Sequence, residues 1–127
     1  MTPTLVDALR ALRPNDSFTI RGEIVYENIQ LADKNKTLPT EEECVQKLAE
    51  LNYEYEVNEY QRQRAAEYPP YADQFDKIFH SGVNAWKTQI RAIKDKYPKQ
   101  TMDPDVLAER KRQALADLEA SRSSEES

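Results

Sequence analysis

Few residues in this 127-residue chain have the types and spacing for chemistry. There is one histidine, His80, and one cysteine, Cys44. Alone, neither can complete a zinc site of His and Cys ligands, and a single cysteine forms no internal disulfide. His80 follows an aromatic run with Glu67, Asp73 and Asp76 as its nearest acids, and nothing in the sequence gives it the positioned partner that general-base catalysis needs. Cys44 falls on an apolar helical stripe, where a free cysteine packs as a small hydrophobe. Glu41, Glu42 and Glu43 could be taken for paired catalytic carboxylates, but consecutive glutamates in a first helical turn are accounted for by capping and the helix dipole. The two glycines, Gly22 and Gly82, are too few and too far apart for a phosphate-cradling loop. The expectation is a non-enzymatic chain without metal or cofactor.

Two other groups of residues offer binding chemistry. Lys87, Arg91, Lys94 and Lys96 recur on one segment beside Trp86 and Tyr97, so cations could meet a phosphate backbone while an aromatic stacks on a base. Tyr71, Phe75, Ile78 and Phe79 share a helical face just upstream. Together with Trp86 and Tyr97 they form either a small private core or an aromatic partner-binding patch. Trp86 and Tyr97 belong to the apolar stripe of their own helix, and this argues against base stacking. The net charge of -5 also argues against a general nucleic-acid binder.

The elements that must position these residues can be read in order. Thr2 caps and Pro3 opens a first helix carrying Leu5, Leu9 and Leu12, which Pro14 ends. Residues 17–21 and 23–29 are rich in β-branched and aromatic side chains and are joined at Gly22, the pattern of a β-hairpin. Thr40 with Glu43 three residues on is a capping box. It opens a long helix reaching to Ala66, with Cys44, Leu48, Leu51 and Tyr55 on one stripe. Beyond Tyr55 that helix is polar all round, so its second half is a connecting rod or awaits a partner. Tyr68, Pro69 and Pro70 break it. A helical hairpin follows, turning at Ser81 and Gly82, with Trp86, Ile90, Ile93 and Tyr97 on its second stripe. Asp103 and Pro104 start a last helix with Leu107, Ala114, Leu115 and Leu118, before a tail, SRSSEES, whose composition predicts disorder.

The fold class is therefore α+β: an N-terminal helix, a β-hairpin and a long helix, then a helical hairpin and a further helix. The division reads as 1–66, 67–100 and 101–127. Charge is segregated: residues 41–59 carry seven glutamates against Lys47, and residues 86–99 carry five cations against Asp95. Such segments are solvated faces, or they pair with each other or with copies of the chain. At a mean hydropathy of -0.88, no apolar run is long enough to span a membrane, and the first residues lack the order of a signal peptide. Synthesis in the cytoplasm and a reducing compartment are expected.

Residues 59–100 resemble a block that recurs in small tailed-bacteriophage proteins, with the pattern R-x-x-x-Y-P-P, D-Q-x-D, a hydrophobic pair, W, and I-x-x-x-K-x-x-Y-P. The matching positions here are Arg64, Tyr68, Pro69, Pro70, Asp73, Gln74, Asp76, Ile78, Phe79, Trp86, Ile93, Lys94, Lys96, Tyr97 and Pro98. The first part, VDALRALRPNDSF followed by a hairpin and by LPTEEE, is similar to XkdW-type phage tail proteins. The resemblance covers residues 4–100. It implies a non-enzymatic tail or tail-fibre-associated protein, oligomeric or in a hetero-complex with tail or fibre proteins, made in the host cytoplasm and carried in the virion. An assembly chaperone absent from the mature particle is the alternative within that class, and a basic helical nucleic-acid-binding module the alternative outside it. Tyr71, Phe75 and Phe79 make this chain more aromatic than the pattern.

Overall fold

A computed structural model describes residues 2–126. The element order is α1 (Leu5–Leu12), β1 (Phe18–Ile20), β2 (Ile29–Leu31), α2 (Glu41–Val57), α3 (Glu59–Glu67), α4 (Tyr71–Ser81), α5 (Val83–Lys96) and α6 (Pro104–Glu126). The α+β reading holds: a two-stranded antiparallel sheet sits among helices in the expected order. The contacts divide the chain into two compact units, and the boundaries differ from those expected. One unit runs to Glu56 and takes in α6 from Met102 onward; the other is residues 57–101. The reason lies in the partners of two helices. The polar α3 packs on α5, and α6 takes its partners from α2.

In the first unit, α1 begins two residues later than Pro3 suggests. The backbone N–H of Thr4 donates to the Asp7 carboxylate at 2.8 Å, so Thr4 is the cap. The hairpin forms with Phe18 opposite Leu31 and Ile20 opposite Ile29, so its second strand lies later than the expected 23–29. Burial makes this choice: Ile29 joins Leu9 and Cys44 in the core, whereas Ile24 and Val25 are exposed. Between the strands Gly22 takes a φ of +87°, and the Asn28 amide donates to the Glu23 carbonyl at 2.9 Å, closing an eight-residue loop over residues 21–28 instead of a tight turn. Leu5, Leu12, Phe18, Ile20, Tyr26 and Leu38 surround that core. The Tyr26 hydroxyl donates to the carbonyl of the fully buried Pro39 at 2.7 Å.

The cap of α2 stands where the sequence puts it. Thr40 Oγ1 accepts from the Glu43 backbone N–H at 3.1 Å. The predicted single helix to Ala66 is interrupted at Asn58. On α2, Cys44 is buried while Leu48, Leu51 and Tyr55 are half-buried; the stripe reading missed Tyr53, which is buried. Tyr53 ties down the start of α6: its hydroxyl accepts from the Asp103 N–H at 2.9 Å, and the Arg110 guanidinium lies 5.3 Å from its ring centre. The Arg110 guanidinium grips both oxygens of Glu56 at 3.1 and 2.8 Å. Towards the other end of α6, Arg122 reaches Glu42 at 2.6 Å and Glu41 at 2.9 Å. The two helices therefore run antiparallel, and the acidic segment finds its cations on α6. The tail expected to be disordered is helical through Glu126, anchored by Arg122.

Two outcomes follow from these local bonds. Thr40→Ala removes the cap and is expected to cost about 1 kcal/mol, read as a lowered urea midpoint at unchanged slope; an unmoved midpoint would contradict the assignment. The Arg122 hydrogen bond, followed by a backbone bond, holds the Glu42 carboxyl below its ordinary range. Such a group contributes stability above its unfolded pKa and loses it as pH falls through the lowered folded value. Amide protection in the last turns of α6 is thus expected to fall below about pH 4, while the core strands stay protected. Arg122→Gln should produce the same loss at neutral pH, and unchanged protection in that variant would remove the ion pairs as its cause.

Candidate functional site

The residues singled out for binding lie in the second unit, where the side chains of Arg64, Glu67, Gln74, Trp86, Lys96 and Tyr97 are engaged within the unit. Tyr68 is extended, as a proline at 69 demands, and ends α3, while Pro70 stands as the residue before the first turn of α4. The Gln74 amide nitrogen reaches back to the Pro69 carbonyl at 2.7 Å, while its oxygen accepts from the Trp86 indole N–H at 3.1 Å. One side chain thereby fixes the proline break, α4 and α5. Gly82, at φ +86°, ends α4 and begins α5 in a backbone conformation that only glycine adopts without strain.

Arg64 makes the second clasp. Its Nε donates to the Tyr97 carbonyl at 2.8 Å and its Nη2 to the Lys94 carbonyl at 3.1 Å, satisfying the open C-terminal end of α5. The same guanidinium lies 5.0 Å from the ring centre of Tyr60, the one core residue of this unit. Glu67 accepts from Lys96 at 2.7 Å and from the Tyr97 hydroxyl. The hydrogen bond from Lys96, then that from Tyr97, pulls the Glu67 carboxyl below its ordinary range; the bond to Glu67 raises the Tyr97 phenol. Lys96 therefore drops out of the candidate cation set, and the polar groups of Trp86 and Tyr97, both half-buried, are engaged internally.

What remains exposed forms two rows. Tyr71, Phe75 and Phe79 follow each other at four-residue spacing along α4, at 80%, 68% and 84% exposure, so the private-core reading fails for them. Ile78 is half-buried at the α4–α5 seam. On α5, Lys87, Arg91 and Lys94 are exposed and form no ion pair among the described residues. With Trp86 and Ile90 as an apolar floor they line a shallow groove of about 300 Å³.

The other candidates carry less. His80 is exposed and meets the edge of the Phe79 ring at 5.1 Å. Burial pushes the Cys44 thiol up, away from the thiolate a nucleophile needs. No group of three or more His, Cys, Asp or Glu side chains among the described residues could hold a metal ion, and none of the helices there is long and apolar enough to cross a membrane. Between α2 and α6, Asn52 Oδ1 is buried without a partner beside an open pocket of about 380 Å³, a feature that no sequence signal announced. The nearest charged pair in that pocket, Glu56 and Arg110, is closed on itself.

Trp86→Ala should leave the Gln74 oxygen without its donor and open the seam, at a cost of about 2 kcal/mol for a half-buried tryptophan. Trp86→Phe keeps the ring and loses the donor, for about 1 kcal/mol. Thermal unfolding of both variants measures the two terms, and equal losses would mean that only the hydrogen bond matters.

No protein-family model, no curated protein and no solved structure matches the chain.

Proposed function

We propose that this protein acts without chemistry of its own, as a bacteriophage tail-associated component that docks on or attaches tail fibres during virion assembly. The observation that carries this reading is the aromatic row Tyr71, Phe75 and Phe79, held in solvent on a helix whose first turn Gln74 ties both to the proline break and to α5. Aromatic side chains contribute strongly to interfaces, and contiguous exposed apolar patches on small proteins mark interaction sites. The row lies inside the block that resembles tailed-phage proteins, and the polar residues of that block build the scaffold beneath it. The alternative of a basic module stacking on bases is disfavoured by Trp86, whose indole is half-buried and bonded to Gln74.

The test is mass spectrometry of purified virions of the source phage, searching for the tryptic peptide AAEYPPYADQFDK. The expected result is the peptide in stoichiometric amount, and, followed by the unchanged peptide LAELNYEYEVNEYQR, recovery that falls when Phe75 and Phe79 are both changed to Ser. Finding the protein only in infected-cell lysate, bound to a fibre protein, would make it an assembly chaperone. Finding it in neither place, or on nucleic acid with affinity falling steeply as salt rises, would overturn the reading.

A further inference from the structure

We propose that the α4–α5 hairpin pairs with the hairpin of a second copy of this chain, α4 of each lying against α5 of the other about a two-fold axis parallel to the helices. The inference rests on the reading of the α4 row as a docking surface and gives that surface its occupant, a second copy, so that the dimer is what is carried to the particle.

Geometry is the first argument. The seam of the hairpin is marked by the Gln74–Trp86 hydrogen bond, and at 3.6 residues per turn the half-buried Ile78 shares the Gln74 face of α4 while the half-buried Ile90 and Ile93 share the Trp86 face of α5. At 3.6 residues per turn, Tyr71, Phe75 and Phe79 lie about a quarter turn from the seam on α4, and Lys87, Arg91 and Lys94 lie about a quarter turn from it, in the same rotational sense, on α5. Because the two helices are antiparallel, equal rotations in one sense bring both rows to the same broad side of the hairpin. The rows also match in length: Tyr71 to Phe79 and Trp86 to Lys94 each span about 12 Å. A two-fold axis along the helices lays each aromatic row over the other copy's basic groove and closes the assembly with neither row left over.

The chemistry of the two rows is complementary. Three ring faces meet two ammonium groups and a guanidinium that form no ion pair among the described residues, and those cations line one groove with Trp86 and Ile90. The same pairing is used inside the chain, where Arg64, Lys96 and Arg110 lie 5.0, 5.4 and 5.3 Å from the ring centres of Tyr60, Tyr97 and Tyr53. α4 carries Asp73 and Asp76 against one lysine, and α5 carries four cations against Asp95, so α4 against α5 is favoured over either helix against itself. The unit also lacks an interior. Within residues 57–101 only Tyr60 is buried, and helical units of this size usually gain the missing apolar burial by association.

Sedimentation velocity on the full chain is the deciding measurement. The 14.8 kDa chain is expected to sediment as a reversible dimer in the micromolar range. Phe75→Ser on α4 and Arg91→Glu on α5 should each weaken the dimer at least tenfold while far-UV circular dichroism stays that of the parent. Gln89→Ala, on an exposed part of α5 away from both rows, should leave it intact. Should Phe75→Ser fail to fold, Arg91→Glu alone carries the test. A wild-type chain that stays monomeric up to about 100 µM, or a dimer indifferent to Arg91→Glu, overturns the pairing. The docking reading is scored separately in virions. A monomer that enters particles and is lost from them with Phe75→Ser sinks the pairing and keeps the docking, whereas a two-fold dimer absent from particles and fibre complexes does the reverse.

Discussion

The second unit depends on the two hydrogen bonds of the Gln74 amide, because there is so little buried apolar surface to do the same work. A helical hairpin stabilised by a full interior can tolerate loose polar groups at its rim. Here only Tyr60 is buried, so the relative placement of the proline break, α4 and α5 is set by Gln74 bridging the Pro69 carbonyl and the Trp86 indole. Arg64 does the equivalent work at the other end of α5, where the last carbonyls of a helix have no partner of their own. The Gln74 clasp joins residues 5 and 12 apart in sequence and the Arg64 clasp residues 33 and 30 apart, through groups that are costly to leave unpaired once shielded from water. With the hairpin fixed in this way, the aromatic row on α4 is free to face solvent without the unit losing its geometry.

The first unit solves the same shortage differently. Its nucleus of Leu9, Ile29 and Cys44 ties α1, the strands and the start of α2 together by burial. That nucleus does not extend to α6, which runs beside α2 with Leu48, Ala114 and Leu118 lining an open groove there and is fastened by charges towards its ends. Exposed ion pairs are individually weak, and the bidentate Arg110–Glu56 pair gains from the Tyr53 ring beneath it. The acidic excess of α2 is thus a fastening for α6. It also explains why a C-terminal segment of disordered composition is helical: Arg122 supplies a tertiary anchor that the local sequence does not announce.

Signals that act within three or four residues were legible. The Thr40 cap, the break at Tyr68 to Pro70, the turn at Gly82 and the start of α6 at Pro104 all stand where local chemistry puts them. What was not legible depends on tertiary competition. Both 17–21 and 23–29 have strand composition, yet the core admits Ile29 and rejects Ile24 and Val25, shifting the pairing. Periodicity placed Tyr71, Phe75 and Phe79 on one face and Trp86 and Tyr97 on another, but it cannot say which face meets a neighbour. Lys96 looks like Lys94 in sequence, and only the approach of Glu67 separates them.

The second unit thereby separates into two sets of residues with different physical jobs. Arg64, Pro69, Gln74, Trp86 and Tyr97 bond to one another or to nearby groups, and they form a scaffold. Tyr71, Phe75 and Phe79 are exposed and stand apart from those bonds. A rigid helix bearing aromatic side chains loses little conformational entropy when it binds, since the rings have two rotatable bonds each and the backbone is already ordered. Changing the aromatic row would alter what the surface recognises while leaving the clasps intact. A small chain with little interior can in this way keep one architecture and still present different faces, because the bonds that hold the hairpin and the groups that meet a partner are different atoms.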